Sequence, residues 1–152
     1  MDEIDKKIVQ LLQVDASISV REIADQVGLT STPCWRRIQA LETSGVITKR
    51  VALVDPQRLN LSLTALVLVR TNEHNADWTE RFLNTVEHFD EVVEAYRTSG
   101  ELDYLLKVIV PNMDAFDQFY LRLIEHIDLY DVRSTFVMEE MKHTTALPLD
   151  YV

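Results

Sequence analysis

Residues Ser19–Gly45 read SVREIADQVGLTSTPCWRRIQALETSG, two short amphipathic segments joined by a glycine turn. Ser19 and Glu22 have the spacing of a capping box, in which the hydroxyl takes the Glu22 amide and the carboxylate takes the Ser19 amide. Ile18 is placed to staple onto Ile23, and Ile23, Ala24 and Val27 give a buried stripe. Gly28 supplies the left-handed residue that stops the helix, and Leu29 packs in the turn. Thr30 is an N-cap residue type for a second helix, Pro33 falls in its first turn where no amide hydrogen is needed, and Gly45 ends it. On that second helix Cys34, Ile38 and Leu41 share one face. Thr32, Arg36 and Gln39 take the opposite face, with Trp35 and Arg37 on the flanks. Arginine and glutamine form paired hydrogen bonds with guanine and adenine edges. The pattern fits a helix-turn-helix whose second helix enters a DNA major groove; an ordinary surface helix pair shares the periodicity.

Upstream, Ile4, Ile8, Leu11 and Leu12 predict a helix over 1–14, capped by Asp2, that supplies the core for the pair. Downstream, residues 46–54 (VITKRVALV) are β-rich and predicted to be extended, with Lys49 and Arg50 flanking the groove or simply solvated. Pro56 forces Asp55 out of helical geometry and the composition shifts there, which predicts two domains, 1–60 and 61–152. The second half alternates: strand 62–71, a helix capped by Asn75 and carrying Trp78, Phe82, Leu83 and Val86, strands 91–99 and 102–110, a helix capped by Asn112, and a last strand 131–138. Phe116, Phe119, Tyr120, Leu123, Ile124 and Ile127 stripe the second of these helices. The order βαββαβ predicts a ferredoxin-like sheet under two helices. Its uncovered face, with Leu66, Leu68 and Leu106 available to it, is an apolar patch that a second copy would bury, so at least a homodimer is expected.

The formal net charge is −10, which at first disfavours nucleic acid. Residues 1–60 hold 8 basic and 8 acidic side chains, whereas 61–152 hold 7 and 17, so the whole excess lies in the second half. Between 30 and 50, Arg36, Arg37, Lys49 and Arg50 face Glu42 alone, and a local basic surface is what phosphate contact requires. No apolar run is long enough for a membrane helix, and the acidic start MDEID is wrong for a secretory signal. The single cysteine, Cys34, allows no internal disulfide, and it sits on the buried face as an inert thiol; a cytoplasmic location is expected. His74, His88, His126 and His143 have no metal-ligand spacing and read as surface or helix-end histidines, so no metal site is expected. With no nucleophile–base pair, phosphate-binding glycine loop or metal cluster, the chain does not read as an enzyme.

Several residue runs, in this order, resemble the leucine-responsive and asparagine-responsive (Lrp/AsnC, feast/famine) transcription regulators. They are Ile4-Asp5, Leu11-Leu12-Gln13, Ile23-Ala24, Val27-Gly28-Leu29, Thr32-Pro33-Cys34, Arg37-Ile38, Leu41-Glu42 and Gly45-Val46-Ile47. Ser99 to Leu106 (SGELDYLL) and Met138 to Lys142 (MEEMK) follow in the second half. The resemblance implies an α+β chain: a winged helix-turn-helix followed by a ferredoxin-like ligand-sensing domain. It further implies dimers that assemble into octamers or similar rings, and a small amino acid as effector, with no other cofactor. Among the DNA-binding residues expected, Thr32, Arg36 and Gln39 read bases, Arg37, Lys49 and Arg50 hold phosphates, Trp35 stacks against sugar or a thymine methyl, and Thr30 and Ser31 lie beside them. Trp35 has a second reading as a cover over the helix pair. The effector residues so implied are Gly100, Glu101, Leu102, Asp103 and Tyr104, with Ser134, Thr135 and Phe136 facing the ligand from a neighbouring copy. Gly100 would open backbone amides to the effector carboxylate and Asp103 would accept its ammonium; a hairpin turn and a turn cap are the plainer readings of these two. Trp35, Arg36 and Phe136 occupy positions where members of that family vary. The competing functional class is a constitutive architectural DNA-binding oligomer without effector response.

Overall fold

Asp2 and Asp5 open the first helix, α1 (Glu3–Val14), as a reciprocal capping box: each carboxylate takes the other residue's amide, at 2.9 and 3.1 Å. The computed structural model describes residues 1–152. Ser19 and Glu22 close the expected box at the start of α2 (Val20–Val27), and Gly28 ends that helix at φ +73°, a conformation costly for any residue with a Cβ. In α3 (Ser31–Thr43) Thr30 is the N-cap by backbone geometry, yet its hydroxyl makes no capping bond, contrary to expectation. Ile8, Val9, Ile23, Ala24, Cys34, Ile38 and Leu41 form the core of the three helices, with Ile4, Leu11, Leu12 and Ile47 packed at its edge.

No hydrogen-bonded strand forms within 46–54, so the wing expected there carries no ladder. A strand is a pairing, and β-propensity alone leaves the backbone unpaired where no second strand lies alongside. After a 3₁₀ turn, Pro56–Leu59, come β1 (Leu63–Arg70), α4 (Ala76–Glu87), β2 (Val92–Arg97), β3 (Tyr104–Val110), α5 (Met113–His126) and β4 (Asp131–Phe136). The four strands are antiparallel in the order β2-β3-β1-β4, the ferredoxin-like arrangement. Asn75 and Asn112 cap α4 and α5 through the amides of Trp78 and Ala115.

Trp78, Phe82 and Val86 point from α4, and Phe116, Phe119, Leu123 and Ile127 from α5, onto one face of the sheet. Ala65, Val67, Val69, Tyr104, Leu106, Val108 and Val110 meet them there. Leu106 therefore lies under the helices and not on the open face. Every residue of β3 except Lys107 is apolar or aromatic, so alternation alone left its sidedness undetermined. Leu66, Leu68, Leu105 and Ile109 take the open face in its place, beside Lys107 and Glu94. Leu83 and Ile124, assigned to the helix stripes from their spacing, point outward instead; the inward side of each helix is taken by three buried positions, Trp78, Phe82 and Val86 on α4 and Phe116, Phe119 and Leu123 on α5.

The chain divides into two compact units, Met1–Leu53 with Met141–Val152, and Val54–Glu140. The segment 141–152, grouped by sequence with the sheet, thus belongs with the three helices. Leu149 packs on their core, and the Gln13 amide bonds to Leu147.

Candidate DNA-reading helix and effector loop

Burial of Cys34, Ile38 and Leu41 fixes the rotation of α3, and Thr32, Trp35, Arg36 and Gln39 are left facing solvent. Thr30 and Ser31, at the entry to the helix, are exposed as well. Trp35 is half exposed. Arg36 enters no ion pair within the chain, and neither does Lys49.

Arg37 is deployed differently from the expectation. Its Nη1 donates to Asp2 at 2.8 Å and to Asp5 at 2.7 Å, the same carboxylates that cap α1. Each carboxylate divides its two oxygens between the helix cap and the guanidinium. The bond to Asp5 and then the bond to Asp2 push the Arg37 pKa further up, while the Asp5 amide and then Arg37 hold Asp2 below the usual carboxylate range. The guanidinium assigned to phosphate is thus a clamp between α1 and α3. Its partners lie 32 and 35 residues away, a pairing only the folded helix packing creates. Gln39 donates to Glu42 at 2.7 Å and Arg50 donates to the other oxygen of Glu42 at 2.9 Å. These contacts are exposed, where an ion pair is worth little and exchanges readily for another anion. Cys34 is fully buried, and burial pushes its thiol pKa up, which keeps it in the unreactive form.

In the second unit the loop between β2 and β3 turns at Gly100, φ +133°, with open space where a side chain would sit. Thr98 braces the loop: its amide donates to the Asp103 carbonyl and its hydroxyl to the Leu102 carbonyl. Asp103 Oδ2 accepts the Thr71 amide at 2.8 Å, so one carboxylate oxygen is structural and the other remains available. His74 Nδ1 lies 3.9 Å from that second oxygen, a neighbour that no local pattern signals. Glu101 faces Arg133 at 3.6 Å.

Tyr104 departs from its expected role. Its ring is buried against Phe82 and Trp78, with centroids 4.5 and 5.6 Å away, and it belongs to the core beneath the helices. Phe136 likewise packs edge-on to Phe116 at 5.0 Å, and strand parity places Ser134 on the same side, leaving Thr135 on the open face. Tyr104 pairs with Val69 and Phe136 with Ala65, so the loop and the end of β4 sit about 13 Å apart along β1 at ~3.3 Å per residue. Within one protomer Glu101 of the loop reaches β4 at Arg133, next to Ser134, while Phe136 lies further along the strand.

Residues 1–42 match the AsnC-type helix-turn-helix domain and residues 64–147 the Lrp/AsnC ligand binding domain. The chain is 44% identical to the DNA-binding transcriptional activator DecR of Escherichia coli K12, over 99% of each chain. It superposes on an AsnC family transcriptional regulator from Agrobacterium tumefaciens with a TM-score of 0.96 and 52% identity, covering 99% of both. A transcriptional regulator from Neisseria meningitidis, solved as an L-Met complex, gives a TM-score of 0.95 at 37% identity, covering 99% of this chain and 98% of the other.

Proposed function

The chain belongs to the Lrp/AsnC family of transcription regulators, and from that premise we propose how it reads DNA and what it senses. The exposed face of α3 carries the reading: Arg36, Thr32 and Gln39 address base edges, with Thr30, Ser31 and Trp35 beside them, while Lys49 and Arg50 hold phosphates. The observation that carries this assignment is the contrast between neighbours, Arg36 exposed and unpaired, Arg37 held by two carboxylates. Two such helices in a homodimer suit a palindromic site with half-sites about one helical turn, or a multiple, apart.

The effector is a small amino acid. Its ammonium pairs with the available oxygen of Asp103, and its carboxylate meets backbone amides near Gly100, between Glu101 and Leu102. Thr135, on the open face of β4, reaches the ligand from a neighbouring copy. The apolar open face around Leu66, Leu68, Leu105 and Ile109 is the surface on which two copies pair, and pairs assemble further into octamers or similar rings. The protein works in the cytoplasm; no helix is long and apolar enough to cross a membrane.

A thermal-shift panel of the twenty proteinogenic amino acids, followed by light scattering and DNA titration for each hit, tests this reading. At least one amino acid raises the melting temperature and changes DNA affinity. If none does, the chain is a constitutive architectural binder.

A further inference from the structure

Residues 141–152 leave the sheet unit and return to the helices. The return is held at few points. Gln13, one residue from the end of α1, uses both atoms of its side-chain amide on the backbone of Leu147: Oε1 accepts the amide hydrogen at 2.7 Å and Nε2 donates to the carbonyl at 3.2 Å. A primary amide imitates one step of a strand ladder in this way, so it grips extended backbone whatever the side chain at 147. Leu149 adds the apolar anchor on the helix core. The rest is weakly held, with Met141 and Leu147 largely exposed, and a cavity of about 700 Å³ opens between the segment, α1 and residues 46–53.

The segment's other end matters as much. β4 ends at Phe136, and only residues 137–140 intervene before the chain enters the helical unit. The strand that carries Ser134 and Thr135 therefore runs directly into the segment that grips α1. We propose that residues 141–152 are a reversible latch that couples effector binding to DNA affinity, with Gln13 as its catch. This rests on the effector reading given above. A segment fastened by one amide and one leucine opens locally without unfolding the units it joins. Any effector that shifts β4 changes the free energy of the latched state, and the latched state then biases α1 and the clamped α3.

The test compares the full chain with Gln13→Met, which keeps a good helix former but removes both amide bonds, and with Leu149→Ser. Hydrogen exchange follows Leu147 and α1, and DNA affinity is measured with and without L-methionine and each hit of the panel. In the full chain the effector changes DNA affinity on the order of 5–150-fold. In both variants exchange at Leu147 accelerates, the effector still binds, and the DNA-affinity ratio falls to about one. An unchanged ratio despite fast exchange at Leu147 overturns the proposal. If the full chain answers to no amino acid, the effector reading fails by itself. The latch is then decided on unliganded protein: faster exchange together with altered DNA affinity in Gln13→Met supports it, and parental values of both overturn it.

Discussion

The two units are stabilised in different ways. The sheet unit buries fifteen hydrophobic residues, with Trp78, Phe82, Phe89, Tyr104, Phe116 and Phe119 among them, whereas the helical unit buries seven, none aromatic. Small cores leave little margin against chain entropy. The helical unit makes up part of the difference with devices at its edges: two capping boxes, the Asp2–Arg37–Asp5 clamp and the returning segment with Leu149. A DNA-reading surface has to stay polar and exposed, so its unit can spend few residues on burial. A sensing sheet stacked under two helices has no such restriction.

The comparison breaks most sharply at Phe82. It is fully buried, stacked on Trp78 at 5.1 Å, and Phe82→Ala should destabilise the sheet unit by about 3–5 kcal/mol. Calorimetry should then show that transition falling while the helical unit holds its own. A single shared shift would mean the two units melt as one and the contrast has no thermodynamic content.

Arg36→Ala comes next, on function and not on stability. It should cost about 1–3 kcal/mol on the specific site with little change on random DNA, if it pairs with guanine. Arg37→Gln sharpens the contrast: it should lower the melting temperature of the helical unit and leave the salt dependence of DNA binding at the parental slope, because no phosphate contact is lost. A slope reduced by about one would restore Arg37 to the phosphate surface.

Ser19→Ala removes one capping box and should cost the helical unit about 1 kcal/mol, seen as a lower denaturant midpoint. No comparable loss is expected in the sheet unit's transition.

The smallest effect is with acid. Asp2 is held below its usual range by the Asp5 amide and then by Arg37, and Glu22 by the Ser19 hydroxyl and then its amide. A carboxylate depressed in the folded state stabilises above its unfolded pKa and loses that contribution as pH falls through its folded value. The helical unit should therefore weaken progressively below about pH 4, followed by circular dichroism at 222 nm. Gln substitution at Glu22 should flatten part of that loss.

Much of this was legible because it is local. A hydroxyl three residues before a glutamate, a glycine after an apolar stripe, an asparagine before Trp78 or Phe116: each fixes a helix end through bonds within one turn, and each appears where the spacing places it. The exposed face of α3 followed from the same arithmetic, since three buried positions determine a helix rotation. The proposed effector residues were located by resemblance, not by pattern, and three of the assigned side chains, Tyr104 at the start of β3 and Ser134 and Phe136 on β4, turned toward the helix-covered side. Strand parity decides that, and parity depends on register with β1.

What the sequence by itself determined, then, is which segments are helices, where they stop, and which side of α3 faces outward, because those rest on contacts a few residues apart. Tertiary structure alone decided that Arg37 faces Asp2 and Asp5, that residues 46–54 find no strand to pair with, that Leu106 lies beneath the helices, and that Leu147 comes home to Gln13 across 134 positions. Such pairings carry no local signature: the energy that selects them exists only once both partners have been brought together by the packing of everything between them.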